Sequence, residues 1–449
     1  MRECLRRLMT RLDKTRRLQI KLYLAAKRNG NRRVHALYDK VYRTDVLQRA
    51  WTQVAQNRGA PGVDAQTLEA IEAQGVGPFL AELQEELKAG TYRPQAVRRV
   101  RIPKPQGGQR PLGIPAVRDR VVQAAVKIVL EPLFEADFSD CSFGFRPKRS
   151  AHQARQRIRR GIQRDRCRWV VDADIVGFFD HLDHGILMRL LRRRISDRRI
   201  LTLIRGWLKA GVFDGATLLH PTAGTPQGGV ISPLLANVYL NVLDHLWTKH
   251  YGQLGQLTRY ADDLVILTWQ RWQAERAREV LAQLLAKLKL ELSPTKTRVV
   301  HLEEPRTGFD FLGYHYRWLP TRRDPQRRYA ACWPSRRAMA AARQRIRELT
   351  PWHRIGLPVS VVVQDLNRFL TGWGAYFRYG NSTQQFEALD RYVETRLCRF
   401  IARKHGRRGW RRGMAVLLDS HTRLGLRRLA GSVRYDSANA GGERTRRAV

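Results

Sequence analysis

Leu257–Trp269 reads LTRYADDLVILTW. Two neighbouring carboxylates, Asp262 and Asp263, stand directly before the apolar run Leu264-Val265-Ile266-Leu267. That run has the composition of a buried strand, and QLTR before the acids reads as another, so the pair falls at the tip of a strand–turn–strand. Successive side chains of a strand face opposite ways; a turn helps both acids approach one point. A third acid, Asp174, ends the apolar strand pattern in RWVVDADIVGFFD (168–180). Such a trio suits a cage for two Mg²⁺ ions, roughly 3.5–4 Å apart, that activates a 3′-hydroxyl and stabilises a leaving pyrophosphate. Mg²⁺ takes oxygen ligands and keeps positions open for substrate phosphates.

These acids sit in a very basic chain. Over 449 residues, 83 Lys and Arg face 40 Asp and Glu, a formal charge of +43. Such a chain repels itself unless an anion neutralises it. Nucleic acid does so with release of counterions, and an anionic membrane surface is the rival partner. No apolar run approaches a bilayer span, and MRECLRRLMTRLDKTRRLQIK (1–21) leads into no secretory segment; the bland reading of this segment is a solvated basic helix, and the charge of the whole chain favours contact with nucleic acid. Length and a 43% hydrophobic content fit two or three packed domains. The five cysteines, Cys4, Cys141, Cys167, Cys332 and Cys398, lack metal-ligand spacing. That argues against a zinc site or disulfide framework and fits a reducing cytoplasm. His181 and His184 have no nearby partner and read as surface or helix-start histidines.

Along the chain, NRGAPGVD (57–64) is a Gly/Pro loop, with Asp64 expected to cap AQTLEAI. PFLAELQEELKAG (78–90) reads as a helix stopped by Gly90. Arg99-Val100-Arg101-Ile102 alternates as a strand, and PKPQGGQRPLG (103–113) is a loop or hairpin with basic ends. Asp183 is a possible N-cap for a helix carrying Ile186, Leu187, Leu190 and Leu191. TPQGGVISPLLANVYLNVLDHLW (225–247) is a Gly-rich turn opening a long apolar helix, and Leu281, Leu284, Leu285 and Leu288 stripe another. TRVVHL and FDFLGY look strand-like. From about 319 the chain turns aromatic, basic and helical in pattern, with three helices expected between 336 and 406.

The order of these elements resembles the reverse transcriptase–maturases encoded by bacterial group II introns, of the kind lacking a C-terminal HNH endonuclease. The landmarks are APGVD, IPKPQGGQRPLGIPAVRDRVVQAAVKIVLEPLFE, SFGFRPKRSAHQA, DADIVGFFDHLDH, GTPQGGVISPLLANVYLNVLD, RYADDLVIL, LSPTKT and FDFLGY. LNRFLTGWGAYFRY and FEALDRYVETRLCRFIARKHG then resemble the maturase region called domain X. The resemblance spans about Ala50 to Trp410. It implies an α+β right-hand polymerase: a basic extension (1–45), fingers and palm (46–318), a helical thumb or domain X (319–410) and a basic tail (411–449).

It also implies roles. Asp174, Asp262 and Asp263 would be catalytic and bind metal, with the Ile175 carbonyl as a further ligand. Lys104 and Arg110 would grip the triphosphate of the incoming dNTP, a fork and a point charge suited to phosphate. Phe179 would pack under its sugar and exclude a 2′-hydroxyl, with Phe178 in the core. Gln227 would contact the nucleotide, where the following glycines permit close backbone approach, and Lys296 would lie near the nucleotide or primer end. Phe145, Arg146 and Tyr260 would touch template or primer. Trp373, Tyr376 and Phe377 are expected in the core of the helical domain. The implied partners are group II intron RNA, a template–primer duplex, dNTPs and target DNA, with two Mg²⁺ as cofactor, no membrane and a cytoplasmic setting. About forty residues, basic overall and without cysteine, follow the domain X resemblance, so the expectation is that a pre-existing DNA 3′ end serves as primer. A splicing-only maturase and a host-adopted enzyme of defence or repair are the alternatives.

Overall fold

A computed structural model describes residues 13–103, 109–214, 217–219, 224, 228–321, 323–405, 421 and 423–435. They form two compact units: Met1–Ile158 with Val170–Val299, and Arg159–Trp169 with Val300–Val449.

In the first unit, α1 (Lys14–Arg28) and α2 (Thr44–Gln56) pack on the long helix α3 (Val117–Glu135). The bland reading of the segment containing α1 is a solvated basic helix. Instead Leu18, Leu22 and Ala26 bury one stripe of it, while Gln19 and Lys27 donate to the carbonyls of Ile128 and Ala136 at 3.3 and 3.1 Å. Arginines and lysines on the other face hid this stripe from a reading by charge. Helix α3 is buried on nearly every side, as a central helix must be when elements surround it. Thr67, not Asp64, caps the helix Leu68–Gln74, accepting from the Ala70 amide at 3.1 Å; Asp64 bonds the nearer Gln66 amide instead. Gly90 does end the helix Val76–Ala89, in the left-handed conformation at φ +74.

The strands β1 (Val97–Pro103) and β2 (Gln109–Ile114) form an antiparallel hairpin, extended by β4 (Val212–Asp214) and β5 (Thr217–Leu219) in the order β2-β1-β4-β5. The second sheet has the order β6-β7-β3-β8, made by β3 (Trp169–Ala173), β6 (Gln256–Tyr260), β7 (Asp263–Thr268) and β8 (Arg298–His301). Helices α4 (His184–Arg192), α5 (Arg198–Lys209), α6 (Ser232–Leu246) and α7 (Arg271–Lys287) complete the unit. Asp183 caps α4 as expected, its Oδ1 accepting from the Ile186 amide at 2.8 Å.

The second unit holds a three-stranded sheet, β11-β10-β9, of β9 (Phe309–Phe311), β10 (Tyr314–Pro320) and β11 (Arg328–Pro334). The expectation of purely helical structure from 319 misses β11. Its core positions, Ala330, Ala331 and Cys332, are small and consecutive, so they show no period of two. Helices α8 (Arg336–Leu349), α9 (Val359–Phe377) and α10 (Thr383–Lys404) follow. The Trp373 ring lies tilted 4.7 Å from Phe377 and 5.5 Å from Phe386, and the Tyr376 hydroxyl donates to the Leu312 carbonyl at 2.9 Å. Of the three aromatics expected in the core, Phe377 is buried, while Trp373 and Tyr376 are half-buried against it and the strand segment. A segment near the end of the chain returns to these helices: Leu426 and Leu429 are buried, and Asp390 accepts the Leu429 and Ala430 amides.

One buried carboxyl makes the stability of the first unit respond to pH. Asp119 is 1% exposed. It accepts from the Tyr92 hydroxyl at 2.6 Å and the Gln95 amide at 3.0 Å, yet burial pushes its carboxyl up to about 6. The folded state then holds a proton that the unfolded chain releases nearer pH 4. Between these values stability falls as pH rises. Asp119→Asn removes that proton uptake. From pH 4 to 7, urea denaturation should show the parent losing on the order of 2 kcal/mol relative to this variant.

Candidate active site

The turn of Tyr260-Ala261-Asp262-Asp263 is a two-residue hairpin. Tyr260 pairs with Asp263, and Leu257 with Ile266. Ala261 lies in the left-handed region at φ +57, where a tight hairpin needs it and a side chain is disfavoured. Below the turn, β7 is buried from Leu264 to Thr268, so the apolar run anchors the acids at the sheet end.

Asp174 and Ile175 leave β3 at the corresponding place. Ile175 bridges Leu292; the Asp174 carbonyl accepts from the Ser293 amide at 2.8 Å, and the Val176 amide donates to the Glu291 carbonyl at 2.9 Å. These two bonds hold the backbone without using the Ile175 carbonyl. LSPTKT thus tethers the strand end, and its Lys296 places Nζ 2.8 Å from Asp174 Oδ2. Beside it, Arg298 pairs with Asp172 at 3.1 Å.

The acids feel one another. Asp263 keeps a face open to solvent, yet its carboxyl is pushed up to about 6 by the protein packed around it and by the charges of Asp262, Asp174 and Asp172, against a smaller pull from Lys296. Because the residue is open, the crowding of like charges is the firmer cause. Among the described residues no three His, Cys, Asp or Glu side chains close into a metal-holding cluster. Asp263 feels the charges of Asp262 and Asp174, and Lys296 is bonded to Asp174, but the closed cage expected of the three acids is not formed among the described residues. Donor type and charge do fit divalent cations: all are carboxylate oxygens, and a cation would relieve the repulsion.

A support that the sequence reading overlooked lies under the turn. Arg259 and Asp244 are both wholly buried. The guanidinium donates to Asp244 Oδ1 at 2.8 Å, to Asn237 Oδ1 at 3.0 Å and to the Ala261 carbonyl at 2.9 Å. Burial opposes its charge, but Asp244 more than offsets this and holds the group above its ordinary range. A single acid inside the apolar helix pattern LLANVYLNVLDHL was the available signal, since such an acid needs a partner.

The remaining expected residues divide. Phe178 is buried at 2% while Phe179 is half-buried. Phe145 is 51% exposed with φ +56, and Tyr260 is half-buried. Arg146, expected on the template, is instead a buried brace. It donates to Glu135 at 2.7 Å and to the Ser142 carbonyl at 2.8 Å, because the loop's carbonyls turn inward and need a donor. His181 and His184 bond the carbonyls of Gly177 and Gly224. Lys104 and Gln227 lie outside the described residues, as does the Arg110 side chain; the Arg110 backbone pairs with Ile102. A Cβ at Gly228 would meet the Gly113 carbonyl at 2.5 Å, so the close approach expected of that glycine is made to β2.

Residues 102–316 match the family described as Reverse transcriptase (RNA-dependent DNA polymerase), and 339–416 match the Group II intron, maturase-specific domain. The chain is 36% identical over 334 residues to Protein YkfC of Escherichia coli, covering 66% of this chain and 87% of that protein. It belongs to the group II intron reverse transcriptase–maturase family. Group II intron-encoded protein LtrA of Lactococcus lactis is 40% identical over 211 residues, 46% of this chain and 34% of that protein. Nuclear intron maturase 1, mitochondrial, of Arabidopsis thaliana is 38% identical over 95 residues, 21% of this chain and 13% of that protein. The residues of the reverse transcriptase match include Asp174, the turn acids and the Arg259–Asp244 pair. No helix among the described residues is long and apolar enough to cross a membrane.

Within that reverse transcriptase domain, the pair Phe145–Arg146 separates surface from support. Arg146→Ala leaves Glu135 without its partner and should cost about 3 kcal/mol by urea denaturation. Phe145→Ala should change stability by less than about 0.5 kcal/mol.

Proposed function

We propose that the protein is an RNA-directed DNA polymerase with a right-hand architecture, fingers and palm followed by a helical thumb, that also binds group II intron RNA to promote splicing and mobility. The observation that carries this is the placing of Asp262 and Asp263 at a hairpin tip where Asp263 feels the charge of Asp174 at the end of β3, in a chain of charge +43. Acids gathered at strand ends are costly in the absence of a cation, and the surrounding positive charge suits a polyanionic substrate.

In this reading Asp174, Asp262, Asp263 and the Ile175 carbonyl would hold two Mg²⁺ ions. When bound, the ions lower the pKa of the primer 3′-hydroxyl and stabilise the leaving pyrophosphate. The protein's own part is positional. The hairpin fixes Asp262 and Asp263 at the end of a buried sheet. Lys296 exchanges Asp174 for a phosphate oxygen of the nucleotide or primer. Phe179, half-buried against the core Phe178, forms the floor under the sugar. Lys104, Arg110 and Gln227 bind the nucleotide; Phe145 and Tyr260 meet template or primer. Intron RNA, template–primer, dNTPs and target DNA are the partners. A splicing-only maturase has no use for the crowded acids.

Primer extension on an RNA template tests this. With Mg²⁺ and dNTPs the purified chain should make cDNA, and Asp262→Ala or Asp263→Ala should lower the rate by roughly a thousandfold while RNA affinity and intron splicing persist. Parent-like synthesis by both variants would refute the reading. Phe179→Ala should let ribonucleotides compete, narrowing the dNTP-to-NTP ratio of kcat/KM by about tenfold or more. An unchanged ratio would remove Phe179 from that role.

A further inference from the structure

The buried pair under the turn does something that a packed core does not need. Two wholly buried charges are a poor way to fill space, because apolar residues of similar volume stabilise a fold equally well or better. This pair instead reaches the backbone of the turn that carries Asp262 and Asp263. Arg259 Nε donates to both Asp244 oxygens, at 2.8 and 3.1 Å. Its Nη1 then points to Asn237 Oδ1 and the Ala261 carbonyl, at 3.0 and 2.9 Å. Only a planar fork with several donors serves all these acceptors at once.

The turn is also gripped from its other side. Asn237 Nδ2 donates to the Gly144 carbonyl at 2.9 Å. A Cβ at Gly144 would lie 2.4 Å from the Ala261 amide nitrogen, so a side chain there would displace the turn. The segment before Gly144 is laced to the Arg259 backbone, with Arg259 N to the Cys141 carbonyl at 2.8 Å and Phe143 N to the Arg259 carbonyl at 2.9 Å. Ala261, left-handed between these contacts, has little freedom to relax.

We propose that Arg259 is a positioning residue. By holding the Ala261 carbonyl while anchored to Asp244 and Asn237 on α6, it sets the direction in which Asp262 and Asp263 present their carboxylates to divalent cations. This rests on the metal-binding reading above and adds to it the residue that aims the ligands. The arginine contacts no reacting atom; its effect runs through one peptide carbonyl.

The test uses the full chain and reads cation binding directly, by the electron paramagnetic resonance signal of free Mn²⁺ at fixed pH. The central variant is Arg259→Gln with Asp244→Asn. It removes one positive and one negative charge, so the site's net field is nearly kept, and glutamine is two atoms too short to reach the Ala261 carbonyl. Arg259→Lys keeps the charge but loses the fork, and carries the test should the double variant fail to fold. Variants with the parent's circular dichroism and RNA affinity should bind Mn²⁺ about tenfold more weakly and need about tenfold more Mg²⁺ for half-maximal primer extension. A merely structural role would change the folded fraction and leave these midpoints alone. Parent-like Mn²⁺ affinity in a folded variant overturns the assignment by itself. Failure of the parent to bind Mn²⁺ more tightly than an Asp174→Asn, Asp262→Asn, Asp263→Asn control overturns the functional reading, and this assignment with it.

Discussion

A guanidinium and a carboxylate sealed together beneath a hairpin turn constrain much of the first unit. Arg259 and Asp244 are fully removed from water, and the loss of hydration is tolerable only because the contact is two-pronged and every other direction finds a partner. That requirement couples elements distant in sequence. Helix α6 supplies Asp244 and Asn237, strand β6 supplies Arg259, and the loop through Gly144 supplies a carbonyl acceptor. Moving any of them strands a buried charge or polar group. The turn bearing Asp262 and Asp263 inherits its geometry from this lock.

Above the lock, the electrostatics reverse. Arg259 is neutralised where water is excluded; Asp263 is crowded by acids where water enters. The neighbouring ion pairs, Lys296 with Asp174 and Arg298 with Asp172, involve exposed cations and are individually weak. They are therefore easily exchanged for other partners. Rigid support beneath and exchangeable charge above suit the proposed site: carboxylates held still, counter-charges free to move. Arg146 follows the same division, buried as a brace of its loop while its neighbour Phe145 faces solvent.

How far the sequence could be read depended on whether an element's signal was local. The hairpin at 256–268, the cap at Asp183 and the stop at Gly90 are set by short-range turn and capping chemistry, and each was legible. The burial of Phe377, with Trp373 and Tyr376 half-buried beside it, followed from helical spacing. The failures share another cause. Strand β11 has small consecutive core residues, and its place is set by pairing with β10. Helix α1 hides its buried stripe among cations, and only the presence of α3 gives that stripe somewhere to go. Arg146 has the residue type of a phosphate contact, but its loop folds so that the guanidinium faces inward.

The sequence alone determined which chemistry was available: acids placed at strand ends, a basic chain to attract polyanions, and an order of motifs that places the chain in its family. These are properties of residue type and near-neighbour spacing, which survive without coordinates. Tertiary structure decided which of those residues meet and which are committed to support. It brought Asp174 within the field of a turn some ninety residues away, set Lys296 on it, and joined Arg259 to Asp244. Such meetings come from burial and from the need to satisfy every buried charge and carbonyl, a condition on the whole fold that no short stretch of chain can express.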